Sequence, residues 1–118
     1  MAKHNETGLK GEQLAEYFLV KKGYKILERN WRSSYKEVDL VVQQDDWLVI
    51  VEIKTRRGLN FGFPEEAVTP AKQQLLRAAA DVYFETHTGF QKVRFDVISI
   101  LLSKTDEVLE LLHLEDAF

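Results

Sequence analysis

Residues 37–55 read EVDLVVQQDDWLVIVEIKT, the strongest β-strand signal in the chain. Its two halves, Glu37–Gln43 and Trp47–Thr55, are rich in Val and Ile, which predicts two β-strands. The residues between them, 44–46, suit a hairpin turn, although the favoured Asn-Gly or Asp-Gly pair is absent. The long apolar run in the second half further predicts a strand that is buried on both faces.

Charged residues at one end of this hairpin predict a metal site. Because strand side chains alternate, Glu52 and Lys54 share one face of the second strand and Ile53 lies on the other. A symmetric hairpin centred on Asp45–Asp46 places Asp39 opposite Glu52, and directly opposed residues lie close together. Two facing carboxylates repel unless a cation lies between them, and Mg²⁺ binds one or two carboxylates together with waters and phosphates. The expected cofactor is therefore Mg²⁺ or Mn²⁺, with Lys54 beside it.

The rest of the chain predicts two helices and three more strands. Thr69 and Pro70 form a helix-start signal, while Gly23 and Gly89 are stop signals. Residues 56–66, with sequence RRGLNFGFPEE, predict a loop. In chain order we predict a helix over Thr7–Lys22 and then strands over Tyr24–Arg32, Glu37–Gln43 and Trp47–Thr55. A second helix is predicted to start at Thr69 and to be closed by Gly89, with Leu75, Leu76, Ala79 and Tyr83 buried. Two further strands are predicted over Val93–Leu102 and Val108–Leu114. This order, αβββαββ, predicts an α/β sandwich with a mixed sheet flanked by helices.

Composition restricts the class of protein. The chain has 118 residues, of which 45% are hydrophobic and 30% charged, the usual balance of a globular domain. We predict a single domain over residues 1–118, with residues 105–118 as an acidic C-terminal strand or tail. The absence of cysteine excludes disulfides, thiol nucleophiles and thiolate metal sites. The three histidines are scattered and receive no role. No signal peptide or membrane segment is found, so we expect a cytoplasmic protein with no membrane partner.

The net charge of −3 hides an uneven distribution. Residues 105–118 contain five acidic residues and no Lys or Arg, so the remainder has 16 basic and 14 acidic residues, a net charge of +2. Whole-chain charge bears on non-specific attraction and does not exclude a local basic surface. Nucleic acid, most simply DNA, therefore stays a candidate partner, and a homodimer is left open.

The residues around the hairpin resemble a known family. Asp39 followed by Glu52-Ile53-Lys54 resembles the D…ExK signature of the PD-(D/E)XK nuclease superfamily. More closely, GLKGEQLAEYFLVKKGYKILERNWR, EVDLV and VEIKTR resemble the YraN-like uncharacterised bacterial family, which is distantly similar to Holliday-junction resolvases. The resemblance extends from Gly8 to about Ile100. The chain departs from that pattern at Lys36, where the family usually has glycine.

This resemblance implies a restriction-endonuclease-like fold and a metal-dependent phosphodiesterase site. Asp39 and Glu52 would be metal ligands, and the carbonyl oxygen of Ile53 would supply a third. Lys54 would orient or activate the attacking water, and Glu12 matches the acidic residue that often completes such sites. The expected activity is Mg²⁺-dependent DNA endonuclease, acting on branched or otherwise structured DNA.

Basic residues beside the motif are candidates for phosphate contacts. They are Arg56, Arg57 and Lys72. Trp31 and Trp47 could stack on bases, although core packing is the commoner role of tryptophan. Two alternatives remain open at this stage: a module that binds nucleic acid without cutting it, and a protein-interaction domain in which Glu52 and Lys54 form a structural ion pair.

Overall fold

Five strands and two helices form the structure, a computed structural model that describes residues 6–58 and 68–118. In chain order they are α1 (Glu6–Lys21), β1 (Lys25–Arg32), β2 (Glu37–Gln44), β3 (Trp47–Arg57), α2 (Pro70–Thr86), β4 (Lys92–Leu102) and β5 (Val108–Leu114). The strands lie in sequence order in one sheet. Only β3 and β4 are parallel, and the other neighbours are antiparallel. The α/β class, the mixed sheet and the order αβββαββ are thus confirmed.

The β2–β3 hairpin has the register that its symmetry predicts. Gln44 lies opposite Trp47, so the turn consists of Asp45 and Asp46. Asp45 has a φ of 54°, a left-handed conformation that aspartate adopts more readily than most residues because its short side chain can bond locally. The Asp45-Asp46 pair therefore forms the two-residue hairpin turn for which Asn-Gly is favoured.

Two apolar cores lie on opposite faces of the sheet. The α2 core contains Leu76 and Tyr83 of α2 together with Leu48 and Ile50 of β3. The α1 core contains Ala15 and Leu19 of α1 packed against the alternate residues of the same strand, including Val49 and Val51. Strand β3 is therefore buried on both faces, as its apolar run predicts.

Three local predictions need correction. Arg56 and Arg57 belong to β3 rather than to a loop, because β4 continues to pair with β3 as far as Leu102. Helix α2 ends at Thr86, before Gly89, because the side chains of Thr86 and His87 hydrogen-bond the last carbonyls of the helix. Leu75 is 41% exposed rather than buried. Predicted loop residues 59–66, with Gly62 and Pro64, lie outside the described residues.

The start of α2 follows the sequence signal. Thr69 is the N-cap, and its hydroxyl oxygen accepts a hydrogen bond from the backbone N–H of Lys72 at 3.3 Å, with Pro70 at the first helical position. This capping fixes where the first turn of α2 begins. Neither described helix is long and apolar enough to cross a membrane.

Helix α1 approaches β3 most closely at a glycine. Gly11 is buried against Thr55, and a Cβ atom at position 11 would lie 1.7 Å from Thr55 Oγ1, 2.8 Å from its Cβ and 3.0 Å from its Cγ2. Rotation of the threonine side chain cannot relieve all three contacts, because one of them involves Cβ itself. The glycine therefore sets the distance between helix and sheet.

We predict that Gly11→Ala destabilises the fold. Overpacking of this kind typically costs about 1–3 kcal/mol, which exceeds the gain of up to about 1 kcal/mol in helix propensity. Urea denaturation followed by circular dichroism measures the change. Gln13→Ala, at an exposed position of the same helix, is the control and should change stability little. A Gly11→Ala variant as stable as the wild type would contradict this account of the packing.

Candidate active site

The candidate site lies where β2 and β3 separate. The last regular backbone pair joins Leu40 to Val51, and the next residues of the two strands are Asp39 and Glu52. Beyond that pair, the backbone N–H of Ile53 donates a hydrogen bond to Asp39 Oδ2 at 2.8 Å. A carboxylate thus takes the position of a backbone acceptor at the end of the ladder.

The regular alternation of β2 is interrupted at this point. Val38 packs in the α2 core, whereas Leu40 packs in the α1 core. Residues two apart in a regular strand share a face, so the chain twists between them, at Asp39. This twist lets the aspartate side chain reach across to β3.

The Glu52 carboxyl group is buried and incompletely bonded. Its Oε1 atom has no hydrogen-bond partner among the described residues. Burial, reinforced by the charge of Asp39, raises the pKa of Glu52 from 4.5 to about 8. Opposing this, the charges of Lys36 and Lys72 and a hydrogen bond from the backbone of Asp39 lower the pKa. A buried carboxylate oxygen without a partner is costly, and a bound cation would satisfy it.

The pKa of the Asp39 carboxyl group is also raised. Burial raises its pKa from 3.8 to about 6, against the effect of the hydrogen bond from Ile53. The charges of Glu12 and Glu37 raise the pKa further, and that of Lys36 lowers it. Glu12, on α1, therefore lies near enough to act on Asp39, and Lys72, in the first turn of α2, acts on Glu52. The site is bordered by both helices.

The basic residues of β3 divide between the two faces of the sheet. The unbroken β3–β4 register keeps the alternation regular, so Lys54 and Arg56 follow Glu52 on the α2 face, with Lys54 exposed. Arg57 lies on the α1 face. Its Nε donates to Thr7 Oγ1 at 2.9 Å, its Nη1 donates to the Ser103 carbonyl at 2.9 Å, and its Nη2 pairs with Asp106.

These contacts indicate a structural role for Arg57. Its guanidinium joins the start of α1, the end of β3 and the turn after β4. All three of its nitrogens have protein partners, so we leave Arg57 out of the proposed nucleic-acid surface. The alternation of β3 would have assigned it to the α1 face, had the strand been predicted to extend past Thr55.

The donor atoms of the site fit a hard divalent cation that retains waters. Two carboxylates are available, and one of their oxygens has no described partner. The N–H and C=O of a strand residue point toward the same neighbour, so the Ile53 carbonyl oxygen is expected to face Asp39 as well. Within residues 6–58 and 68–118, no group of three or more acidic, His or Cys side chains could hold a metal. Mg²⁺ typically uses one or two carboxylates plus waters, whereas Ca²⁺ takes six to eight oxygens.

Comparisons with known proteins agree with the resemblance read from the sequence. The model of the uncharacterised protein family UPF0102 matches residues 11–100. A UPF0102 protein of Syntrophomonas wolfei is 50% identical over 116 residues, which cover 98% of this chain and 99% of the relative. The chain belongs to the family UPF0102. Relatives from Rhodococcus opacus and Flavobacterium psychrophilum, also UPF0102 proteins, are each 44% identical and cover all of this chain and 100% and 98% of their own lengths.

The UPF0102 match contains the whole candidate site. It begins one residue before Glu12, runs through Asp39, Glu52 and Lys54, and ends at residue 100, within β4. Strand β5 lies beyond the matched residues. The relatives nevertheless align over nearly their full lengths, so residues after 100 also have counterparts in them.

A second polar cluster lies on the α1 face of the sheet, beside Tyr24 of the α1 core. Arg94 Nε donates to Asp96 Oδ1 at 2.9 Å, and its Nη2 donates to the Tyr24 hydroxyl at 2.7 Å. His113 Nε2 lies 2.7 Å from Asp96 Oδ2, and Lys22 Nζ lies 3.0 Å from His113 Nδ1. Leaving His113 without a role was therefore wrong. His113 lies opposite Ile98 in the β4–β5 pairing, a register that the sequence alone does not predict.

The raised pKa values of Asp39 and Glu52 predict that the stability of the metal-free protein depends on pH. The unfolded chain loses its protons from Asp39 and Glu52 near pH 4, while the folded chain retains them up to about pH 6 and about pH 8. The folded state binds more protons across this window, so the free energy of unfolding should fall as the pH rises from 4 to 8. Urea denaturation in EDTA at several pH values measures this slope.

Glu52→Gln should remove the part of the decline above about pH 6. Glu110→Gln, at an exposed position of β5, should leave the wild-type slope unchanged. A metal-free wild type with constant stability from about pH 4 to about pH 8, the window between the ordinary and the raised pKa values, would show that the two carboxyl groups are not buried together.

Proposed function

We propose that the protein is a Mg²⁺- or Mn²⁺-dependent DNA endonuclease, which hydrolyses phosphodiester bonds in branched or otherwise structured DNA. One observation carries the proposal: Asp39 and Glu52 are half-buried at the point where β2 and β3 separate, with the pKa of each raised and with the buried Glu52 Oε1 unpartnered among the described residues. Such a pair is costly without a cation. The resemblance to the PD-(D/E)XK superfamily supports the same assignment.

Asp39, Glu52 and the carbonyl oxygen of Ile53 would hold the ion. A bound Mg²⁺ supplies an activated water and neutralises charge that develops on the phosphate. The hydrogen bond from Ile53 N–H fixes the orientation of the Asp39 carboxylate. Consequently one carboxylate is positioned by a backbone hydrogen bond, and the other presents an oxygen that has no partner in the described part of the chain.

Lys54 would contact the reacting phosphate or the attacking water. It follows Glu52 on the same face of β3 and is exposed, so its ammonium can reach a ligand that approaches from solvent. A lysine ammonium donates three hydrogen bonds and accepts none, which suits it to bind phosphate oxygens and to orient a water. Glu12, which acts electrostatically on Asp39, would accept a hydrogen bond from a water on the ion.

Basic groups on the α2 side would bind the flanking phosphates. Lys72 extends from the first turn of α2 and acts on Glu52, and Arg56 continues the face of Lys54. Phosphate contacts of this kind supply most of the affinity for DNA and carry no sequence preference. The proposed substrate is therefore defined by DNA structure rather than by base sequence.

Removal of either carboxylate should abolish cleavage without unfolding the protein. We expect Asp39→Asn and Glu52→Gln to lose Mg²⁺-dependent cleavage of a labelled DNA junction, because each removes a ligand charge. In EDTA above about pH 8, where both carboxyl groups are ionised, both variants should melt at or above the wild-type temperature, since neutralising one of two neighbouring anions relieves repulsion. Added Mg²⁺ should raise the melting temperature of the wild type by mass action and that of the variants little.

Glu110→Gln is the matched control and should keep both cleavage and the Mg²⁺-dependent melting shift. If both site variants melt well below the wild type in EDTA, the carboxylates are structural partners of nearby lysines. That result, together with no cleavage by the wild type, would favour the interaction-domain alternative.

The salt dependence of DNA binding should identify the phosphate contacts. Each lost phosphate contact reduces the slope of log K against log salt by about 0.9 for duplex DNA. Lys54→Ala and Lys72→Ala should each reduce the slope by about this amount in fluorescence anisotropy titrations. Lys104→Ala, an exposed lysine in the turn before β5, should leave it unchanged. Equal slopes for all four proteins would contradict the proposed surface.

A further inference from the structure

An exposed tyrosine lies on the turn that leads into the site. Tyr35 belongs to the β1–β2 turn, and its residue surface is 53% exposed. Across residues 6–58 and 68–118, the only other aromatic residue with a mostly open surface is Tyr17, on the outer face of α1. Trp31 instead packs edge-on against Tyr83 at 5.2 Å, and Trp47 packs against the α1 core. Both tryptophans therefore contribute to packing within the protein.

The turn holds Tyr35 in a defined position. Ser33 Oγ lies 3.0 Å from the backbone N–H of Tyr35 and 3.1 Å from that of Lys36, and accepts from both. The backbone N–H of Ser33 donates to the Lys36 carbonyl at 3.2 Å, which closes the turn. Because the backbone at Tyr35 is already ordered, binding of the ring to a flat partner requires no further ordering of the turn.

Tyr35 also lies within reach of DNA bound at the candidate site. Tyr35 lies four positions before Asp39, and strand residues span about 3.4 Å each, so their Cα atoms are at most about 14 Å apart. This distance equals about four base steps at about 3.4 Å per step. The adjacent Lys36 acts on both site carboxyl groups, which places the end of the turn beside them.

The charges around the ring match a nucleic-acid strand. Lys36 follows the tyrosine, and Arg32, whose side chain is 59% exposed, precedes the turn. Its nearest acidic partner, Glu37, lies at 3.9 Å, the long limit of an ion pair. Aromatic rings that alternate with basic groups bind single strands, because bases stack on the rings and phosphates contact the cations.

We propose that Tyr35 stacks on an unpaired base of the DNA and thereby selects substrates with single-stranded or unstacked bases a few nucleotides from the cleaved phosphate. The inference rests on the proposed nuclease function and adds a substrate class to it. In a continuous duplex every base is already stacked on its neighbours, so the ring gains a partner only after unstacking has been overcome. A gap, flap or junction arm supplies an unpaired base without the free-energy cost of unstacking a duplex.

The test measures binding in EDTA, where no cleavage interferes. Fluorescence anisotropy compares a continuous duplex with the same duplex that carries a single-stranded gap. We expect the wild type to prefer the gapped DNA and Tyr35→Ala to bind it about tenfold more weakly, a change of about 1.4 kcal/mol. Affinity for the continuous duplex should not change. Tyr35→Phe and Tyr35→Trp retain a ring and should bind gapped DNA as the wild type does.

Tyr17→Ala is the matched control, since it removes the other exposed ring and should leave both affinities unchanged. A 2-aminopurine base in the gap gives a direct readout: its fluorescence should be quenched by the wild type and much less by Tyr35→Ala. Wild-type affinity of Tyr35→Ala for gapped DNA, an equal loss on both DNAs, or a change in oligomeric state measured by sedimentation would each overturn the inference.

The outcomes distinguish failure of the stacking inference from failure of the proposed nuclease function. If the wild type cleaves DNA with Mg²⁺ and Tyr35→Ala prefers gapped DNA as strongly as the wild type, the stacking inference alone is wrong. If the wild type binds neither DNA and cleaves none, both proposals are wrong. If it prefers gapped DNA through Tyr35 but never cleaves, stacking stands and the protein is a binding module.

Discussion

The hydrogen bond from Ile53 N–H to the Asp39 carboxylate lies at the point where the β2–β3 ladder stops, and the site depends on it. A strand that continued to pair would bury this N–H against a backbone carbonyl and would keep the aspartate on its own face. Because a side chain serves as the acceptor, β2 can twist away while β3 continues beside β4 to Arg57. The opening between the strands holds two carboxyl groups and is bordered by both helices.

Most of the fold could be predicted because its signals are local. The β2–β3 register follows from a two-residue turn and from alternation, and the start of α2 follows from Thr69 and Pro70. The end of β3 could not be read in the same way, because Arg56 and Arg57 are not typical strand residues. Their conformation is imposed by the parallel partner β4, which lies far away in the sequence.

The candidate site was only partly predictable for a similar reason. Alternation and hairpin symmetry identify Asp39 and Glu52 as neighbours. They do not reveal the break at Asp39 or the Glu52 oxygen that lacks a partner among residues 6–58 and 68–118. Lys36 appears in the sequence only as a departure from the family pattern, yet its charge lowers the pKa of both carboxyl groups. Such effects depend on distances between segments, which residue spacing alone does not provide.

A divalent cation shared by Asp39 and Glu52 would be visible in crystals grown without metal and then soaked in Mn²⁺, with anomalous data collected near the manganese edge. We expect a single strong anomalous peak in contact with oxygens of both carboxylates, accompanied by waters, and no such peak in Glu52→Gln crystals. An absence of density between the two carboxylates at saturating Mn²⁺, with Lys36 or Lys54 bonded to Glu52 instead, would contradict it.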